Sequence, residues 1–214
     1  MIQATNGNLA SALLELEEKD VERLVSDELA RGVPPETILE EMRQGMTEIG
    51  NRFAGGTYFL TELIMAAEIF GQTMKKIEPR LTGGSGGEAG DVVFATVKGD
   101  VHDIGKNIIV AMLRGADFRV HDLGVDVPPE RIIEKLKETG AGVLGLSALL
   151  TTSFDSMKAT VEALARAGLR DHVKVMVGGG PVDERVRAYV GADVCGRDAQ
   201  QAVNLARQFA AVEV

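Results

Sequence analysis

Asp91-Val92-Val93-Phe94-Ala95-Thr96-Val97-Lys98-Gly99-Asp100-Val101-His102-Asp103-Ile104-Gly105-Lys106-Asn107-Ile108-Ile109-Val110-Ala111-Met112-Leu113 is the stretch from which the organisation of this chain can be read. A near-continuous apolar run, Asp91 to Val97, has the character of a strand buried on both faces. An apolar pattern of helical period begins at Ile104. Between them lies a short loop holding a carboxylate, Asp100, and an imidazole, His102, closed by Gly105. A strand that opens through a loop into a helix is the first half of a βαβ unit. On this stretch alone Asp100 is either a helix cap or one member of a ligand-binding pair.

Toward the C-terminus the same alternation recurs. Strands are predicted at Val92–Val97, Arg119–Asp122, Gly142–Ser147, Lys174–Gly178 and Ala192–Cys195. Helices are predicted at Ile104–Arg114, Pro129–Thr139, Phe154–Ala167, Asp183–Val190 and Ala199–Ala211. Five such units in about 120 residues mean a parallel sheet covered on both faces. Right-handed crossovers leave few arrangements, and the order expected is 2-1-3-4-5, the flavodoxin-like doubly wound sheet. In that order ligands bind beyond the carboxyl ends of strands 1 and 3, where the winding reverses.

Toward the N-terminus, residues 1–80 are helical in pattern throughout. Leu9, Leu13, Leu14 and Leu16 mark a short helix. Asp20 is placed to cap a second, with Val21, Leu24, Val25 and Leu29 on its apolar side and Gly32 at its end. Pro34-Pro35 opens a third, in which Ile38, Leu39, Met42, Met46 and Ile49 recur at helical spacing. A fourth runs from near Tyr58 to about Ile77. Four helices with short connections suggest a small bundle, and Met42, Met46 and Met65 are assigned to its core. Residues 81–90, Leu81-Thr82-Gly83-Gly84-Ser85-Gly86-Gly87-Glu88-Ala89-Gly90, are expected to form a flexible joint with ends about 15–20 Å apart. The expected division is therefore a helical domain 1–80, a glycine-rich linker 81–90 and an α/β domain 91–214.

Composition narrows the function. A net charge of −9 argues against nucleic acid, whose phosphates call for a basic face. No apolar run approaches the roughly 18–20 residues that cross a bilayer, and no export signal is visible, so a cytoplasmic location is expected. The single cysteine, Cys195, excludes an internal disulfide and a cysteine-rich metal cluster. Neither a P-loop nor a Gly-x-Gly-x-x-Gly fingerprint occurs. Aromatic residues make up only 4% and Trp is absent, which leaves a stacked flavin without support. Phosphoacceptor receivers, which share the topology, need an aspartate at the end of strand 3 and a lysine at the end of strand 5, where this chain has Ser147 and Cys195. His121 and His172 are expected at the surface, and Cys195 as a small buried residue.

Polar groups and glycines from four strand ends converge on one rim. After strand 1 come Asp100, Val101, His102, Asp103, Ile104 and Gly105; after strand 3, Ser147, Leu149, Thr151 and Ser153; after strand 4, Gly178 and Gly179; after strand 5, Cys195 and Gly196. Asp100-x-His102-x-x-Gly105, then Ser147-x-Leu149, then Gly178-Gly179 resemble, in order, the three-part signature of cobalamin-binding domains. Gly55-Gly56-Thr57-Tyr58-Phe59-Leu60-Thr61-Glu62-Leu63 resembles the start of the last helix of the helical cap beside that domain in methyltransferases, with Thr61 where family members often have proline. The chain is thus similar, over nearly its whole length, to the corrinoid proteins of methyltransferase systems and to the matching region of cobalamin-dependent methionine synthase.

That resemblance implies a cobalamin or related corrinoid bound base-off/His-on, with His102 as the lower axial ligand of cobalt. Asp100 would bond the other imidazole nitrogen and Ser153 would bond Asp100, a triad that tunes the metal. The nucleotide tail would pass Gly105, Ser147, Leu149, Thr151 and Gly178-Gly179, while Phe59 and Leu63 would face the methyl side. It implies a non-catalytic methyl carrier that accepts a methyl group on Co(I) from a substrate:corrinoid methyltransferase. From methyl-Co(III) it would deliver that group to a second, folate- or thiol-dependent methyltransferase, with a reductive activation protein as a further partner. Two alternatives use the same motif. A cobalamin-binding mutase subunit would usually lack residues 1–80, and a cobalamin-sensing regulator would need a DNA-binding segment that is not visible.

Overall fold

The computed structural model describes residues 8–81 and 87–211. The chain divides into two compact units, Met1–Gly86 with Arg114–Asp117, and Gly87–Leu113 with Phe118–Val214. Half of the glycine-rich joint expected over 81–90, residues 82–86, lies outside the described residues.

The helical unit contains α1 (Leu9–Leu14), α2 (Glu18–Ala30), α3 (Pro35–Ala54) and α4 (Leu60–Ile77). Asn8 caps α1 by accepting the Ala10 amide at 2.7 Å. Leu16 is not part of that helix: it takes a left-handed φ of 59° in the turn after it. Asp20 does not cap α2, which starts two residues earlier; it lies in the first turn and pairs with Arg23 at 3.1 Å. Pro35 opens α3, where its missing N–H costs nothing, and α3 buries Ile38, Leu39, Met42, Met46 and Ile49. Gly45 lets α1 lie close against α3, because a Cβ there would stand 3.1 Å from the Ala10 carbonyl oxygen. α4 begins at Leu60 rather than Tyr58, with the Phe59 amide donating to the Glu62 carboxylate at 2.8 Å. Burial of side chains such as Phe70, Leu63 and Ile77, at about 2 kcal/mol each, holds the bundle together. Met65 is exposed, unlike Met42 and Met46. It lies between the inward positions of α4.

The second unit alternates β1 (Asp91–Thr96), α5 (Ile104–Gly115), β2 (Arg119–Asp122), α6 (Pro129–Thr139), β3 (Val143–Ser147), α7 (Phe154–Arg166), β4 (Lys174–Gly178), α8 (Glu184–Val190), β5 (Val194–Gly196) and α9 (Ala199–Ala210). The strands form one sheet of order β2-β1-β3-β4-β5, parallel at every pairing, which is the order read from the sequence. β5 begins two residues later than expected. Asp193 takes the first position with its side chain, Oδ2 accepting the Val175 amide at 2.7 Å, so the ladder starts at Val194. Central strands β1 and β3 are buried almost throughout. Gly145, mid-strand in β3, makes room for the ring of Phe94 on β1; a Cβ there would fall 2.2 Å from it.

The register aligns the strand ends. Thr96 pairs with Ser147, Ser147 with Gly178 and Gly178 with Gly196. The carboxyl ends of four strands therefore finish in one row, and the loops that leave them share one rim.

Candidate functional site

Two loops meet at the centre of that rim. Asp100 is fully buried, and each of its carboxylate oxygens is occupied. Oδ2 accepts the amides of Leu149 and Leu150 at 2.7 and 2.9 Å, from the loop after β3. Oδ1 accepts the His102 amide at 3.0 Å and lies 2.8 Å from Nδ1 of the His102 ring. Burial pushes this carboxyl up. The Leu150 and His102 amides, the His102 ring and the Leu149 amide more than offset it, and the group is held at about 2 instead of 3.8. Asp100 is an anion at neutral pH and accepts from Nδ1–H, so in the neutral imidazole the unprotonated nitrogen is Nε2.

His102 is about half exposed on its side chain, and Nε2 has no partner among the described residues. The loop itself is held by Thr96, a buried residue whose hydroxyl donates to the His102 carbonyl at 3.0 Å. Val101, Ile104, Leu149 and Leu150 leave apolar side chains exposed on the same two loops. Gly105 is exposed and a Cβ there would meet nothing within 4 Å. It is not a packing glycine; it leaves open space at the start of α5. Asp103 stands just before α5, its carbonyl accepting the Asn107 amide at 2.8 Å and its carboxylate accepting from the Asn107 side-chain amide at 3.4 Å.

The other residues singled out from the sequence divide. Ser147 and Gly178 stand side by side in the rim row. Gly179 takes a φ of 134°, and a Cβ there would fall 1.9 Å from the Ala148 carbonyl oxygen, so the turn after β4 lies directly on the loop after β3. Thr151 is exposed on the short helical turn that leads into α7. Ser153 is buried, but its hydroxyl makes no hydrogen bond to Asp100 in this structure, whose oxygens are taken by backbone amides instead. Gly196 ends β5, while Cys195 faces the core and its thiol donates to the Val182 carbonyl at 3.5 Å. Burial pushes that thiol up. In the helical unit Phe59 is 68% exposed, whereas Leu63 is buried. His121 is not a free surface residue, since its Nε2 lies 2.7 Å from Asp91 Oδ1.

Sequence reasoning passes over the Leu149 and Leu150 amides. Backbone N–H groups carry no residue signature, and their only trace is the nearness of two loops implied by the strand order.

The donor set suits a metal that arrives with most of its ligands. Among the described residues no three His, Cys, Asp or Glu side chains gather to hold an ion. What is offered is one imidazole with its far nitrogen outward and its near one bound to a buried carboxylate, the arrangement that sets a metal-binding histidine's tautomer. Gly105 leaves open space at the start of α5, and Val101 and Ile104 expose apolar side chains beside it, surfaces of a kind that suits a partly apolar group.

Residues 90–206 match a sequence family described as a B12 binding domain, and residues 7–78 match a second family of the same description. The chain is similar to dimethylamine corrinoid protein 3 of Methanosarcina acetivorans, at 41% identity over 94% of each chain. Among solved structures it is similar to a cobalamin-binding protein of Desulfitobacterium hafniense, at 39% identity with a TM-score of 0.64, covering 94% of this chain and 96% of that one. It is also similar to the methanol:cobalamin methyltransferase complex of Methanosarcina barkeri, at 28% identity and a TM-score of 0.78, covering 95% of this chain and 78% of that one.

Proposed function

The chain belongs to the B12-binding corrinoid proteins of methyltransferase systems, and from that premise we propose that it carries methyl groups on a corrinoid bound base-off, with His102 as the lower ligand of its cobalt. The observation that carries this reading is the buried Asp100 carboxylate 2.8 Å from Nδ1 of a half-exposed His102. A bound corrinoid supplies a cobalt centre that takes a methyl group and gives it up again. The protein's part is to present Nε2 and to set how strongly it donates.

Asp100 does this by accepting from Nδ1–H, which fixes the tautomer and raises the basicity of the far nitrogen. The three amides that hold Asp100 keep it from swinging away when the ring moves. Gly105, the exposed apolar side chains of Val101 and Ile104, and the Ser147–Gly178 part of the rim are the surfaces for the corrinoid. The division of labour follows the two units, with the α/β unit binding the corrinoid and residues 1–80 acting as a helical cap domain.

Methyl carriers work between enzymes. The partners are a substrate:corrinoid methyltransferase and a second methyltransferase that passes the group to a folate or thiol. Relatives named for dimethylamine at about 40% identity support a methylamine as the methyl source.

The test is direct. Protein purified anaerobically with cobalamin and reduced should be methylated by a methylamine:corrinoid methyltransferase, followed by absorbance; methylation by the methanol enzyme alone would reassign the donor. In the Co(II) form the wild-type protein should show nitrogen hyperfine splitting by electron paramagnetic resonance. His102→Ala should still bind corrinoid weakly and lose that splitting. Splitting that survives the substitution would remove His102 as the ligand.

A further inference from the structure

The chain that leaves β2 does not turn away from the sheet at once. Leu123 donates its amide to the Phe94 carbonyl at 2.9 Å, the Gly124 carbonyl accepts the Thr96 amide at 2.9 Å, and the Val127 amide donates to the Thr96 carbonyl at 3.1 Å. Val125 and Asp126 are extra residues between two bonds to the same Thr96, a bulge at the end of the ladder. Bulges of this kind redirect a side chain next to a site. Gly124 and Asp126 both take left-handed backbone, at φ 85° and 53°. Glycine accepts that conformation freely, whereas Asp126 holds it against its Cβ.

Asp126 then grips the loop of the candidate ligand at two points. Its Oδ1 accepts the Gly99 amide at 2.7 Å, and its own amide donates to the Asp100 carbonyl at 2.9 Å. Gly99 is itself left-handed, at φ 84°, a conformation that glycine takes freely. The two bonds bracket the backbone from which the Asp100 side chain projects. Asp100 in turn is the only group bonded to the His102 ring among the described residues.

We propose that Asp126 is a positioning residue: by clamping Gly99 and Asp100 from the bulge after β2, it fixes the origin from which Asp100 aims the His102 imidazole. The proposal rests on the reading of His102 as the cobalt ligand. Asp126 touches neither the ring nor the space in front of it. Its carboxylate has a use that glycine, the easier residue for that backbone, does not supply.

Asp126→Gly removes the carboxylate while relieving the left-handed strain, and Asp126→Asn replaces a charge-assisted bond with a neutral one. With cobalamin bound and cobalt reduced to Co(II), the ratio of nitrogen-ligated to unligated metal is read from the electron paramagnetic resonance spectrum. Exchange of the Gly99 amide is read by NMR in the cofactor-free protein. The expected order in both is wild type, then Asn, then Gly. The glycine variant should show about a tenfold or larger fall in the ratio, the weight of one hydrogen bond to a charged group. A merely structural role would shift the melting temperature and leave the ratio alone. A wild-type ratio in Asp126→Gly overturns the proposal, and if that variant does not fold, a wild-type ratio in Asp126→Asn does so. Nitrogen splitting that persists in His102→Ala, with Asp126 intact, instead overturns the ligand reading and the clamp with it.

Discussion

At the scale of the residue, Asp100 explains most of the site. A buried carboxylate is costly unless its lone pairs are filled, and here three amides and one imidazole fill them. The sign of its effect on stability follows from the direction of the shift. The folded protein holds Asp100 at about 2 against an ordinary 3.8. Its contribution, roughly 2 kcal/mol, is complete above pH about 4 and lost as pH falls through about 2. Urea unfolding of the cofactor-free protein should therefore show wild type losing stability over that interval faster than Asp100→Asn. Equal slopes would mean that the native carboxylate is not specially held. Gly145 carries a second prediction. Alanine there would place a Cβ 2.2 Å from the Phe94 ring, and overpacking of this kind costs about 1–3 kcal/mol, measured as a lower urea midpoint at an unchanged slope. Asp100-x-His102 stands out in the sequence, but its reading as a bonded pair comes from the resemblance to cobalamin-binding domains and not from its spacing. The amides that hold it, and Asp126 behind it, do not stand out, since a backbone donor looks the same in every residue.

At the scale of the element, glycines and caps set where the strands and helices stop. Asp183 caps α8 by accepting the Arg185 and Val186 amides at 2.9 and 3.0 Å, and Asp183→Ala should cost about 1 kcal/mol, seen in thermal unfolding. Gly179 is more demanding, because its φ of 134° and the nearness of the Ala148 carbonyl both exclude a side chain. Gly179→Ala should destabilise by more than the cap variant, by about 2 kcal/mol or above. If the two lose equal stability, the turn after β4 has more freedom than its backbone suggests. Periodicity places the α/β elements to within two residues, since apolar runs and helical spacing are local signals. It errs where a side chain takes a backbone role or a cap signal falls inside a helix: Asp193 displaces the start of β5, and Asp20 lies within the first turn of α2. Leu63 and Met65 show the same limit on α4. Both lie on one apolar stretch, yet the first is buried and the second exposed, and only packing tells them apart.

At the scale of the whole molecule, a corrinoid that binds the native protein and not the unfolded chain should raise its stability by mass action. At a thousandfold excess over the dissociation constant the gain is about 4 kcal/mol, read as an upward shift of the melting temperature that shrinks in His102→Ala. An identical shift in both proteins would mean that the imidazole adds nothing to binding. By itself the sequence determined the class of fold, the order of its strands and which loop leaves β1 at the point where the winding reverses, because hydrophobic period, glycine placement and the handedness of crossovers act locally or by general rule. Only the tertiary structure decided which groups complete that loop. The Leu149 and Leu150 amides reach Asp100 from about fifty positions along the chain, and Asp126 reaches Gly99 from 27. Contacts between segments so far apart exist only once the sheet has brought the strand ends into one row.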